Sequence, residues 1–269
     1  MPYQTIEVTQ ITPRIGGSVT GINLAEPLSD VQIDDVRQAL IDHQVIFFRD
    51  QQLDPASLKR VGGYFGELQP HALKGLPEHP EVRKLQADET SKHVSGEEWH
   101  TDMSCHPTPP MGSILYLHTI PPTGGDTVFG SMYAAYEALS DRMQRLVRGL
   151  TAIHDGRQYY VGRYGGGNLR DGEYPAAEHP AVRTHPVTGR PALYVNEGFT
   201  IGFKELKPAE SQALLGFLVR HCGQPEFQCR FRWRRHSVAR RRSPRRASWL
   251  SDSLLTIRPK AGTWSPAGT

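Results

Sequence analysis

Two short, wholly apolar runs, Val45-Ile46-Phe47-Phe48 and Ile114-Leu115-Tyr116-Leu117, constrain this chain most. Each is too short for a core helix and rich in β-branched or aromatic residues. Each is also closed by punctuation, Arg49-Asp50-Gln51 after the first and Pro121-Pro122 soon after the second. Such runs read as buried strands. Ile6, Val8 and Ile11 suggest an opening strand, with the Gly16-Gly17 pair as a turn. Thr127-Val128-Phe129, Ala181–Thr184, Ala192–Val195 and Phe227–Trp233 add more, and Trp99 to Thr101 reads as the entry to another. Helical spacing follows Ser29 and Asp54-Pro55, runs from Ser131 to about Arg148, and resumes at Lys207-Pro208 to about His221. Residues 69–97 and 155–180 read as irregular, the second as a long glycine-rich loop. The expected fold class is therefore mainly β with flanking helices.

At 269 residues the chain can bury one sizeable core. No apolar run approaches the roughly 20 residues of a membrane span. The start, MPYQTIEVTQITPRIGG, lacks the charged-then-apolar order of a secretory signal. Cys105, Cys222 and Cys229, odd in number and widely spaced, fit ordinary thiols in a reducing compartment. No membrane association and a cytoplasmic location are the expectations, with a homo-oligomer left open. Nine arginines fall between Arg230 and Arg246. The basic balance is therefore local, and a solvated basic tail explains it better than a nucleic-acid patch, since no binding fold accompanies it.

The chemistry centres on Trp99-His100-Thr101-Asp102. On a strand, residues i and i+2 share a face, so His100 and Asp102 can both address one metal ion. Two imidazoles and one carboxylate on an octahedral face are the facial triad of non-haem Fe(II) oxygenases, which leaves positions for co-substrate and dioxygen. By itself the pair also fits a hydrogen-bonded strand histidine beside a turn aspartate.

The surroundings add context. WHTD at 99–102, the PP-x-G-S strand at 109–117, PPTGGDT at 121–127, AAYEALS at 134–140 and HPAVRTHPVTGRPALYVNEGFT at 179–200 occur in one register. With IGGSVTGINLAEPLSD, HQVIFFRDQ and FGELQPH they resemble the taurine dioxygenase family, the TauD/TfdA-like Fe(II)/2-oxoglutarate enzymes, over roughly residues 5–239. The resemblance implies a double-stranded β-helix (jelly-roll) core, with Fe(II) as cofactor and 2-oxoglutarate and O2 as co-substrates. A small organic acid (a sulfonate, sulfate ester or aryloxy acid) would be hydroxylated, with release of succinate and CO2. It implies His100 and Asp102 as iron ligands and Thr127 as the hydroxyl on 2-oxoglutarate. His71 and Phe199 would face the substrate. Outside the resemblance, Thr127 reads as a turn threonine, His71 as a surface histidine and Phe199 as core. Gly96 and Met103 depart from the taurine enzyme's pattern, which leaves taurine itself open.

The family's closing motif, VAxWDNRxxxHxA followed by an arginine, supplies the third iron ligand and the carboxylate clamp. Here Ser237-Val238-Ala239 leads instead into Arg240-Arg241-Arg242-Ser243, and without gaps those two positions are Ser248 and Thr263. Neither His221, on an expected helix, nor His236, ahead of the motif, replaces the missing histidine. The division expected is a dioxygenase domain over 1–239 and a divergent, frameshifted or disordered tail over 240–269. The core would then be incomplete at its C-terminus. An inactive or impaired family member is the alternative to an active oxygenase.

Overall fold

The computed structural model describes residues 3–70, 75–85, 98–164, 174–241 and 251–258. They divide into two compact units. Unit 1 holds residues 1–97, 110–129 and 229–264, and unit 2 holds 98–109, 130–228 and 265–269.

Along the chain, unit 1 opens with β1 (Glu7–Gln10), β2 (Gly17–Thr20), α1 (Asp30–His43), β3 (Val45–Phe48), α2 (Pro55–Gly63), β4 (Glu67–Leu68) and β5 (Val82–Leu85). It continues with β6 (Gly112–Thr119) and enters β7 (Thr127–Gly130). Unit 2 carries α3 (Met132–Glu137), α4 (Asp141–Arg148), β8 (Thr151–Asp155), α5 (Arg157–Tyr164), β9 (Ala176–Pro180), β10 (Val182–Thr184), β11 (Pro191–Leu193), β12 (Thr200–Phe203) and α6 (Pro208–Cys222). The chain returns to unit 1 through β13 (Gln228–Phe231), β14 (Ser237–Arg241) and β15 (Ser251–Arg258). Among the described residues the protein is thus mainly β, with helices, as its sequence leads one to expect.

In unit 1 the sheet runs β1-β2-β3-β14-β6-β15-β4, with β5 also paired to β15. The two apolar runs of the sequence become β3 and the centre of β6, and β14 lies between them, setting Ala239 opposite both Phe47 and Leu115. All four residues of β3 are buried, as a strand covered on both faces requires. Phe47 stacks on Phe231 at 3.9 Å and meets Phe129 edge-on at 5.3 Å. Gly16 turns the chain into β2 at φ 97°, and a Cβ there would come within 3.0 Å of Cys229 Sγ. Helix α1 begins where a capping box of Ser29 and Gln32 satisfies its first amides. Helix α2 begins at the Asp54 cap with Pro55 at its first position.

Unit 2 is built on the antiparallel order β12-β8-β9 and the hairpin β10-β11. The hairpin turns at Gly189, φ 68°, whose N–H donates to His185 O. Ala152, Leu193, Phe203, Leu218 and Phe227 belong to its buried core. Lys207-Pro208 opens α6 as the spacing predicts.

Four expectations change. The helix expected from Ser131 to Arg148 breaks at Ala138-Leu139, because Ser140 caps a second helix by accepting from Met143 N–H. The loop expected over 155–180 contains α5 and β9, and β9 pairs with β8 in register from Thr151↔Pro180 to Asp155↔Ala176. In the irregular stretch 69–97, β5 is a strand, held by β15. Beyond Ala239 no strand was expected, yet β14 runs on to Arg241 and β15 pairs along β6, with Leu254 opposite Leu115. Arg240 is 1% exposed on that central strand, its guanidinium 4.5 Å from the Phe65 ring. The arginine cluster is therefore not wholly a solvated tail. Among the described residues no helix is long and apolar enough to cross a membrane.

Candidate metal centre

Residues 99–101 are not a strand. They lead into tight turns in which Ser104 N–H donates to Thr101 O and His106 N–H to Met103 O, with Met103 at φ 55°. The same-face argument from a strand therefore fails, but its result survives. His100 Nε2 and Asp102 Oδ1 converge to 3.2 Å.

The other imidazole nitrogen decides what that edge can do. His100 Nδ1 lies 2.9 Å from Glu98 O, and a carbonyl only accepts, so Nδ1 carries the proton. In the neutral tautomer Nε2 faces the carboxylate oxygen with its lone pair, and in the imidazolium it donates to it. The arrangement suits a metal ligand, whose remote N–H is held by a carbonyl in just this way.

The donor set fits a ferrous ion on two protein positions. Among the described residues no third is supplied, because no group of three or more His, Cys, Asp or Glu there could hold a metal. His221 lies on α6 and donates through Nε2 to Ala135 O at 2.7 Å, while His236 Nδ1 meets Tyr116 Oη at 2.6 Å. Both are engaged elsewhere. Ser248 and Thr263 lie outside the described residues.

Thr127 begins β7, 2% exposed, and its Oγ1 accepts from Trp233 Nε1 at 2.8 Å. It is a strand residue bonded to an indole rather than a turn threonine bonded to its own backbone. Because indole only donates, the Thr127 hydroxyl proton remains for another acceptor. Phe199, 3% exposed, packs with its ring centroid 5.0 Å from that of Tyr159. Tyr160 Oη reaches Met103 Sδ at 3.9 Å, which brings this aromatic group to the turn that bears Asp102. His71 and Gly96 lie outside the described residues.

Sequence reasoning missed the polar residues around that turn. Ser104, His154, Asn196 and Thr200 are all buried and hydrogen-bonded to one another, and His179 bonds His106. Nothing in the local pattern signals them, because the partners lie up to 92 residues apart. Burial pushes the His154 imidazole down to about 3, helped by nearby His179 and Arg183.

The model of the family described as taurine catabolism dioxygenase TauD, TfdA matches residues 7–239. The chain belongs to that family. It is 32% identical over 246 residues to an alpha-ketoglutarate-dependent sulfonate dioxygenase of Saccharomyces cerevisiae, a match covering 87% of this chain and 60% of the relative. It is 30% identical over 250 residues to an alpha-ketoglutarate-dependent sulfate ester dioxygenase of Pseudomonas putida, covering 87% and 80%. The chain thus spans about three fifths of the yeast relative's length. The crystal structure of a taurine dioxygenase from Burkholderia xenovorans superposes with a TM-score of 0.79 at 31% identity, covering 94% of this chain and 89% of that one. The fold is that of these dioxygenases, the jelly roll expected from the sequence.

Proposed function

We propose that this chain is an Fe(II)- and 2-oxoglutarate-dependent oxygenase acting on a small organic acid. A sulfonate or sulfate ester is favoured, with an aryloxy acid next. The observation that carries the reading is the 3.2 Å convergence of His100 Nε2 and Asp102 Oδ1, with His100 Nδ1 held by Glu98 O. Its support is membership of a family whose relatives are named for sulfonate and sulfate-ester oxidation.

Iron, when bound with 2-oxoglutarate and dioxygen, supplies the chemistry that hydroxylates a C–H bond and yields succinate and CO2. This chain's residues do the rest. His100 and Asp102 offer a neutral nitrogen and one negative charge. Thr127 offers a hydroxyl proton to a carboxylate, and Phe199 an apolar wall beside Tyr159. His71 stands as the substrate-facing histidine on the resemblance alone.

A second reading rests on a specific observation: a third protein donor is lacking among the described residues. On that reading the chain is an impaired or inactive member with residual metal binding. Residues 1–239 would then be the dioxygenase domain and 240–269 a divergent terminus. One experiment separates the two. Succinate formation dependent on Fe(II) and on a sulfonate, sulfate ester or aryloxy acid supports the active oxygenase. Folded protein that binds iron well below one equivalent and makes no succinate supports the impaired one.

A further inference from the structure

Ser104 lies two residues past Asp102, and its side chain is wholly buried. Its Oγ accepts from Asn196 Nδ2 at 3.1 Å and lies 3.0 Å from His154 Nδ1. Asn196 Oδ1 accepts from Phe199 N–H at 2.9 Å. Thr200 Oγ1 accepts from the Asn196 N–H at 2.9 Å and lies 3.4 Å from the same His154 nitrogen. Asn196 thus closes the 196–200 loop on itself with one atom and grips Ser104 with the other.

The same loop reaches the other end of the metal pair. Gly198 N–H donates to Trp99 O at 3.1 Å, and a Cβ at Gly198 would stand 3.1 Å from His100 Cβ. Below, His179 Nε2–H donates to His106 O at 3.0 Å. The turn itself carries two backbone bonds, Ser104 N–H to Thr101 O at 3.3 Å and His106 N–H to Met103 O at 2.9 Å, about a left-handed Met103.

We propose that the loop 196–200 is a clamp that fixes the spacing of His100 and Asp102. Ser104, His154 and Asn196 act as positioning residues, and Gly198 sets how closely the loop can approach. The assignment rests on the reading of His100 and Asp102 as metal donors. Its physical basis is burial: Ser104 Oγ, both Asn196 amide atoms and His154 Nδ1 would be costly to leave unsatisfied, so these bonds hold one arrangement and the turn inherits it, although His154 Nε2 is buried without a hydrogen bond. Groups that orient metal ligands typically change affinity 10- to 100-fold when removed.

The test uses the full chain, Asn196→Ala and Ser104→Ala. The control is Ser211→Ala, which removes a buried hydroxyl elsewhere in unit 2, where Ser211 Oγ accepts from Phe203 N–H. Mn(II) binding is followed by the paramagnetic resonance of the free ion, and amide hydrogen exchange is read at Ser104 and His106. The two clamp variants should weaken Mn(II) about tenfold or more and speed exchange at those two amides, while α4, which carries none of the clamp residues, and the control stay unchanged. Should Asn196→Ala fail to fold, Ser104→Ala carries the test. Unchanged exchange at Ser104 and His106, or equal acceleration in α4 and in the control, overturns the clamp. Mn(II) binding equally tight in the chain and both variants also overturns it, with the metal reading intact. If the unaltered chain binds no Mn(II), the metal reading falls and the exchange result alone decides the clamp.

Discussion

His154 is held neutral by its surroundings: fully buried, near His179 and Arg183, its imidazole is pushed from the usual 6.5 down to about 3. Between those values the unfolded chain carries a proton that the folded chain refuses. Folding is therefore opposed as pH falls through 6.5, and the group contributes nothing above it. His179 is shifted the same way by burial. Stability should rise with pH from about 5 to 6.5, by up to about 1 kcal/mol per pH unit from His154, with His179 adding in the same direction, and then level off. Urea midpoints at pH 5.5 and 7.5 check this; a midpoint no lower at 5.5 contradicts it. At this scale the sequence was partly legible. His100 and Asp102 are adjacent enough to be seen as a pair, although through a turn rather than a strand. Ser104 and Asn196 could not be seen, because their role exists only once distant segments meet.

Elements were legible where their signals are local. Ser29 and Asp54 announce α1 and α2 within three residues of the caps, and β3 announces itself by being apolar throughout. The break between α3 and α4 was missed although Ser140-Asp141 is a cap signal, because the apolar spacing runs across it. Strands β9, β5 and β15 were missed because pairing with distant partners, not periodicity, makes them strands. Strand β14 shows the limit most plainly. Its pairing to both β3 and β6 carries Arg240 into an apolar surround that includes Leu24, Val36, Phe48 and Ile114. There Arg240 Nη1 donates to Ser113 O at 3.4 Å, a bond to the strand beside it.

For the whole molecule, ancestry and competence are separate matters. The family match ends at residue 239, and the position expected for the third donor falls beyond it. A chain with the closing motif restored should therefore make succinate far faster than this one; equal rates in a product assay would mean that the two-donor site suffices. Loss of Fe(II) to a chelator should abolish whatever activity either version has.

The three cysteines give the chain a built-in gauge of breathing. All are buried, and burial pushes the Cys105 and Cys229 thiols up to about 12, so at pH 8 scarcely any thiolate exists to be alkylated. Iodoacetamide can react only through moments when the surrounding structure opens. Cys105 and Cys222 belong to unit 2 and Cys229 to unit 1. Mass spectrometry of the labelled peptides would time the opening of each unit separately, in one sample and without an engineered probe. If Mn(II) binds the His100–Asp102 edge, carbamidomethylation at Cys105, three residues away, should slow, since a ligand held only by the closed form suppresses the open one. Equal labelling with and without the ion would mean that Cys105 is reached by a fluctuation that leaves the edge intact.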